Sequence, residues 1–227
     1  MSVILSLETA TSVCSVSLHR KGVLCSEVSL FVGQSHSVML HPMIDQVLTF
    51  SQESFASLSA VAISKGPGSY TGLRIGTSTA KGLCYALDLP LLAVNTLEAM
   101  ARAMQAWQSR PIWLCPMIDA RRMEVYCALY DENGQCISPT EARIIDESSF
   151  EEYLFRQDIL FFGDGAAKCQ PHLSHQPRAH FQKDFYPQAR AVGQLAEAQW
   201  QAGEFMDVAY FEPYYLKDFI NQATLKN

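Results

Sequence analysis

Twice along this chain an apolar run ends in an acid, an alternating strand follows, and a polar turn closes on a glycine. Residues 3–7 lead to Glu8, residues 13–18 alternate apolar and small polar side chains, and the turn ends at Gly22. Residues 112–118 lead in the same way to Asp119, residues 124–130 alternate, and the turn ends at Gly134. The acid and the turn glycine stand 14 residues apart in the first copy and 15 in the second. Period-two alternation marks a strand with one buried face, and a glycine-closed turn folds it back on its neighbour. Any hairpin-led α/β unit shares these periods, so chance similarity stays open beside duplication.

The segments after each hairpin extend the parallel. Residues 23–30 read as a third strand, 37–50 as an amphipathic helix with Pro42 near its first turn, and 59–64 as a buried strand. Residues 71–87 then read as a helix, 91–94 as a strand and 96–107 as a helix. In the second half, 159–162 reads as a strand, Gly163-Asp164-Gly165 as a turn and 189–201 as a helix. A strand-strand-strand-helix-strand-helix unit used twice is the plan of a duplicated ribonuclease-H-like α/β fold. The polar stretch Gln108-Ser109-Arg110-Pro111 predicts a boundary, giving one lobe over 1–108 and a second over 109–227. The aromatic tail, with Tyr210, Phe211, Tyr214, Tyr215 and Phe219, is too apolar to float free and is expected to dock on one lobe, the first being a candidate.

Composition narrows the function classes. A formal net charge of −6 argues against a broad basic nucleic-acid surface on this chain alone. No run of about 18 apolar residues predicts a membrane span, and Glu8 interrupts the first apolar run too early for a signal peptide. The seven cysteines include no C-x-x-C pair and fall mostly in apolar runs, where a reduced thiol behaves as a small hydrophobe. These features lead to the expectation of a cytoplasmic protein.

The densest motif runs from Lys65 to Gly82, K-G-P-G-S-Y-T-G-L-R-I-G-T-S-T-A-K-G, after a strand and into a helix. Unpaired N–H groups at such a helix start favour an anion, while glycines also permit close packing. It is neither a Walker A loop nor G-x-G-x-x-G, because Gly72 falls one residue late. Anion binding and pure packing both remain open on these residues. Met39, Met43 and Val47 form an i, i+4, i+8 stripe on the 37–50 helix, and Gly72, Gly76 and Thr79 offer a close-approach face on the next. These six residues are the expected partner interface, the alternative being that they pack internally.

The block G-P-G-S-Y-T-G-L-R-I-G, continued by A-K-G-L and P-L-L-A-V-N-T-L-E, resembles the TsaB (YeaZ-type) family of actin-like proteins. The start I-L-S-L-E-T-A-T resembles that family's first strand and turn. The likeness continues through residues 119–126, Gly163-Asp164-Gly165-Ala166 and Tyr215-Leu216-Lys217-Asp218. The resemblance implies an actin-like (ASKHA) two-lobed fold and a part in forming N6-threonylcarbamoyladenosine at position 37 of tRNA. It implies a TsaD-type paralogue as heterodimer partner, a TsaE-type ATPase joining them, a homodimer when alone, and tRNA contact only through the complex.

The catalytic TsaD type carries two metal-ligating histidines in a segment resembling N-H-L-E-G-H. Here Asn95-Thr96-Leu97-Glu98-Ala99-Met100 aligns with it, so Thr96 and Met100 stand at the ligand positions. A hydroxyl and a thioether do not replace two imidazoles. His36 and His41, five residues apart, point about 140° apart on a helix and make no substitute pair. No catalytic residue, cofactor or metal site is expected. An independent actin-like ATPase or kinase is the alternative; a metalloprotease is disfavoured because no H-E-x-x-H occurs. Glu8 and Asp119, at strand ends, are expected to cap local N–H groups.

Overall fold

The structure is a computed structural model that describes residues 2–33 and 36–216. Gln34, Ser35 and the tail motif residues Lys217, Asp218 and Phe219 lie outside the described residues.

The first unit runs β1 (Val3–Glu8), β2 (Cys14–Arg20), β3 (Val23–Leu30), α1 (His36–Phe50), β4 (Ala60–Gly66), α2 (Tyr70–Leu87), β5 (Leu91–Asn95) and α3 (Thr96–Gln105). The second runs β6 (Trp113–Asp119), β7 (Glu124–Tyr130), β8 (Cys136–Ile144), α4 (Glu151–Leu154), β9 (Ile159–Phe162), α5 (Ala166–Leu173), β10 (Ala179–Gln182) and α6 (Ala189–Ala202). One five-stranded sheet has the order β3-β2-β1-β4-β5 and the other β8-β7-β6-β9-β10. These are the same topology, with an antiparallel meander followed by two parallel strands. The chain is a duplicated, actin-like α/β protein.

Each sheet has an outer and an inner face. On the outer face of the first, Leu5, Leu7, Val16, Leu18, Val61 and Ile63 pack beneath α1 and α2. On the outer face of the second, Cys115, Met117, Cys127, Leu129 and Phe161 pack beneath α4 and α5. The inner faces are covered by exchange. Helix α3, from the first unit, packs Leu97, Met100, Ala101 and Met104 on Leu114, Ile118, Ala128 and Phe162 of the second sheet. Helix α6, from the second unit, packs Ala191, Val192 and Ala196 on Ile4, Ala60, Ala62, Leu92 and Val94 of the first. Residues 189–202, which follow the second sheet in sequence, therefore cover the inner face of the first.

The first sheet's inner face is unusually polar beneath α6. Ser6, Ser15, Ser17, His19 and Ser64 are all fully buried. The helix meets them with small residues, and a methyl on Gly193 would overlap the His19 ring. Burial lowers the His19 pKa, opposed by the carboxylates of Glu27 and Glu197.

Beyond α6 the chain returns along the first sheet's other edge. The Met206 amide donates to the Leu91 carbonyl (2.8 Å) and the Tyr214 amide to that of Lys65 (2.7 Å). Lys81 Nζ donates to the carbonyls of Ala209 (3.1 Å) and Phe211 (3.0 Å). Met206, Val208 and Phe211 pack on the outer core, so this segment covers the β5 edge, whose open backbone groups would otherwise invite pairing.

Pro42 lies seven residues into α1 rather than in its first turn. The Val38 carbonyl thus loses its i+4 donor. Val38 is 71% exposed, so water can serve in its place.

Candidate functional site

The two acids that end β1 and β6 do the same local work. Glu8 Oε1 accepts the Ala10 amide (2.7 Å) and Asp119 Oδ1 accepts the Arg121 amide (2.8 Å), each two residues on. Such a bond to the i+2 amide shapes the loop that succeeds a strand. Their surroundings differ sharply. Glu8 is fully buried, and desolvation pushes its pKa up to about 7 against the opposing Ala10 N–H. Asp119 is exposed and held by Lys168 Nζ, which also donates to the carbonyls of Arg122 (2.8 Å) and Glu124 (2.7 Å). Asp164 Oδ1 accepts the Asp119 amide at 3.0 Å.

The glycine-rich loop is fitted onto the first of these loops. The Ser69 amide donates to the Ala10 carbonyl (2.7 Å), and Ser69 Oγ caps α2 by accepting the Gly72 amide (3.3 Å). A methyl on Gly68 would overlap the Ala10 carbonyl, and one on Gly72 the Thr9 carbonyl. The residues therefore do not fit a nucleotide's phosphates between loop and helix: less than a methyl group's room is left. Gly72→Ala is expected to cost about 1–3 kcal/mol by overpacking against fixed backbone, read as a lowered urea midpoint; Gly82→Ala, which meets nothing within 4 Å, is the control.

The six expected interface residues do not form one outward face. Met43 and Val47 are 2% and 0% exposed, inside the core beneath α1, and Met39 packs against it. Gly72 and Gly76 are buried, Gly76 against the Thr9 hydroxyl and Ile63, and Thr79 is half-buried. Their close approach is to the protein's own β1–β2 loop. What α1 and α2 turn outward is Val38, His41, Pro42 and Asp45 with Ser78, Gly82 and Tyr85, the tyrosine 88% exposed. The polar spacing His41, Asp45, Thr49 marks this face in the sequence, masked by the near-continuous apolar content of the helix.

Thr96 and Met100 are both buried at the start of α3, and the Met100 methyl reaches Gly163 of the second unit. His36 is buried with Nε2 3.3 Å from the Val13 carbonyl, and His41 is exposed, so the two share no site. Among the described residues no group of three His, Cys, Asp or Glu side chains is placed to hold a metal, and no helix is long and apolar enough to cross a membrane.

A family model described as TsaD, tRNA N6-adenosine threonylcarbamoyltransferase, matches residues 22–220. Over 163 residues the chain is 32% identical to the tRNA threonylcarbamoyladenosine biosynthesis protein TsaB of Bacillus subtilis, covering 70% of each. The chain belongs to the TsaB branch of the TsaD family. It is 40% identical over 134 residues to the protein of the same name from Escherichia coli, where the match covers 58% of this chain and 57% of the relative's own length. Among solved structures, YeaZ from Pseudomonas aeruginosa superposes with a TM-score of 0.82 at 26% identity, covering 95% of this chain and all of that one. The activator of 2-hydroxyisocaproyl-CoA dehydratase from Clostridium difficile superposes with a TM-score of 0.53 at 7% identity over 89% of this chain and 97% of that one, which shows a shared fold alone. TsaB membership accounts for the resemblance of the glycine-rich block, whose role in this structure is to seat α2 on the β1–β2 loop.

Proposed function

We propose that the chain is a non-catalytic partner subunit of a TsaD-type paralogue in the formation of N6-threonylcarbamoyladenosine at position 37 of tRNA, within a cytoplasmic assembly joined by a TsaE-type ATPase. The observation that carries this reading is the pair Thr96 and Met100, buried between the sheets where the catalytic paralogues carry metal-ligating histidines. A hydroxyl and a thioether enclosed in apolar packing leave this chain to act through its surface rather than by transferring the group itself. The filled β1–β2 loop supports the same reading, as do the names of the relatives. The test is reconstitution from purified components: the modified nucleoside should form with the chain present and fall to background without it, while the chain alone makes none.

The contact with the paralogue lies on the outward face of α1 and α2, centred on Val38 and Tyr85. A second copy sharing the fold would fit the same face when the paralogue is absent, in keeping with the preference for closed two-fold pairs. Combining Val38→Glu with Tyr85→Glu should leave the melting temperature within a few degrees of the parent, since both side chains stand in solvent. It should abolish co-elution with the paralogue and shift the chain to monomer in light scattering. Undiminished co-elution by the doubly charged variant would move the interface elsewhere.

A further inference from the structure

The two pseudo-equivalent loops have diverged in a way that points to a ligand. The loop after β1 is buried, with Thr9 and Ala10 enclosed under the start of α2. The loop after β6 is covered at its base by Gly165 but open at its tip, where Arg121 and Arg122 are both exposed. Both arginines have left-handed backbones, with φ of +68° and +47°. Side chains other than glycine and asparagine are disfavoured there, and two in succession are costlier still.

The strained tip is held rather than loose. Lys168 ties the Arg122 and Glu124 carbonyls to Asp119, Asp119 takes the Arg121 amide, and Asp164 takes the Asp119 amide. Asp119, Asp164 and Lys168 each bind backbone or one another, and the two guanidinium groups take no part in these bonds. Arg20, Arg110, Arg143 and Arg190 find carboxylates, while Arg74, Arg102 and Arg178 bond to the Tyr70 hydroxyl, the Gln105 amide and the Phe155 carbonyl. Neither Arg121 nor Arg122 forms an ion pair among the described residues of a chain with net charge −6. Tyr126, half-buried on β7, lies within electrostatic reach of Arg121.

We propose that the Arg121–Arg122 tip binds phosphodiester groups of RNA. This rests on the proposed tRNA-modifying role and gives the chain a direct hand in holding the substrate. A fixed pair of planar guanidinium forks suits two adjacent phosphates, and a contact this local is compatible with an acidic chain.

The decisive variant is Arg121→Asn with Arg122→Gly, which removes both cations while installing residues that favour the left-handed backbone. It should melt no lower than the parent, as no structural role for the arginine side chains would allow. Anisotropy with a fluorescent tRNA transcript, on the chain alone and on the complex with its paralogue, should show affinity falling about tenfold. The slope of log affinity against log salt should drop by about 1.5, because each lost phosphate contact removes roughly 0.7–0.9. Arg121→Lys with Arg122→Lys should keep most of that slope. Equal affinity and slope for the parent and the Asn-Gly variant would overturn the proposal. So would inorganic phosphate or ATP binding the parent as tightly as the transcript and displacing it, which assigns the tip to a free phosphate instead. The anisotropy is read without reference to nucleoside formation. A failure here with the reconstitution intact strikes this contact alone, whereas a failed reconstitution strikes the proposed role.

Discussion

Met43→Glu is expected to leave the first lobe unfolded at 25 °C. Met43 is 2% exposed and sits among Leu40, Ile44 and Val47 under α1. Losing its packing removes about 2–5 kcal/mol, and enclosing a carboxyl there without a partner adds several kcal/mol more, even if the group takes a proton to escape charge. A total of about 5 kcal/mol or more matches the whole stability of many domains. Val38→Glu, on the same helix but 71% exposed, should stay within about 0.5 kcal/mol of the parent. Circular dichroism and urea melts on the pair separate core from surface. A folded, monodisperse Met43→Glu would return the 39/43/47 stripe to the surface.

The second large effect concerns pH. Glu8 titrates near 7 in the folded chain against an ordinary value of 4.5, because burial disfavours its charged form. Below about pH 4.5 the proton is on in both states and no penalty applies. As pH rises, the unfolded chain loses this proton first, so the native state loses stability until pH passes about 7. That separation of about two and a half in pKa corresponds to roughly 3 kcal/mol lost across the window. Glu8→Gln keeps an acceptor for the Ala10 amide and carries no charge, so its stability relative to the parent should climb from about pH 5 to about pH 8 and then level. Parallel stability–pH curves for the two proteins would show that Glu8 does not titrate in this range.

The sequence carried the repeated plan because local periodicity reports strands and long helices well. The expected strands at 23–30, 124–130 and 159–162 coincide with β3, β7 and β9. The pieces that escaped reading lack a period long enough to register: α4 and β10 have four residues each, and α5 has eight with Pro171 inside. Strand β8 is an edge strand interrupted by Pro139, with burial too irregular for clean alternation. The burial of Met43 and Val47 is hard to read from the sequence because 39/43/47 and 40/44/48 are both apolar sets on one helix, and only the structure shows that both lie on the core side. The exchange of α3 and α6 is a relation between sheets distant in sequence, which no window along the chain contains. At the loops, residue types disclosed the capping acids, but only three dimensions separated a loop filled by glycines from one left open with two arginines.

The helix exchange also fixes the timetable of synthesis. The first sheet is complete in sequence at Asn95, yet the helix that covers its inner face begins only at Ala189. A ribosome adding about 5–20 residues per second leaves that face bare for many seconds in the growing chain. An uncovered sheet of valine and leucine would be an aggregation hazard over such an interval. The face that waits holds Ser6, Ser15, Ser17, His19 and Ser64 among Ile4, Ala60, Ala62, Leu92 and Val94, so the polar lining that makes a costly interior in the finished protein breaks up the apolar surface of the nascent one and keeps it more wettable.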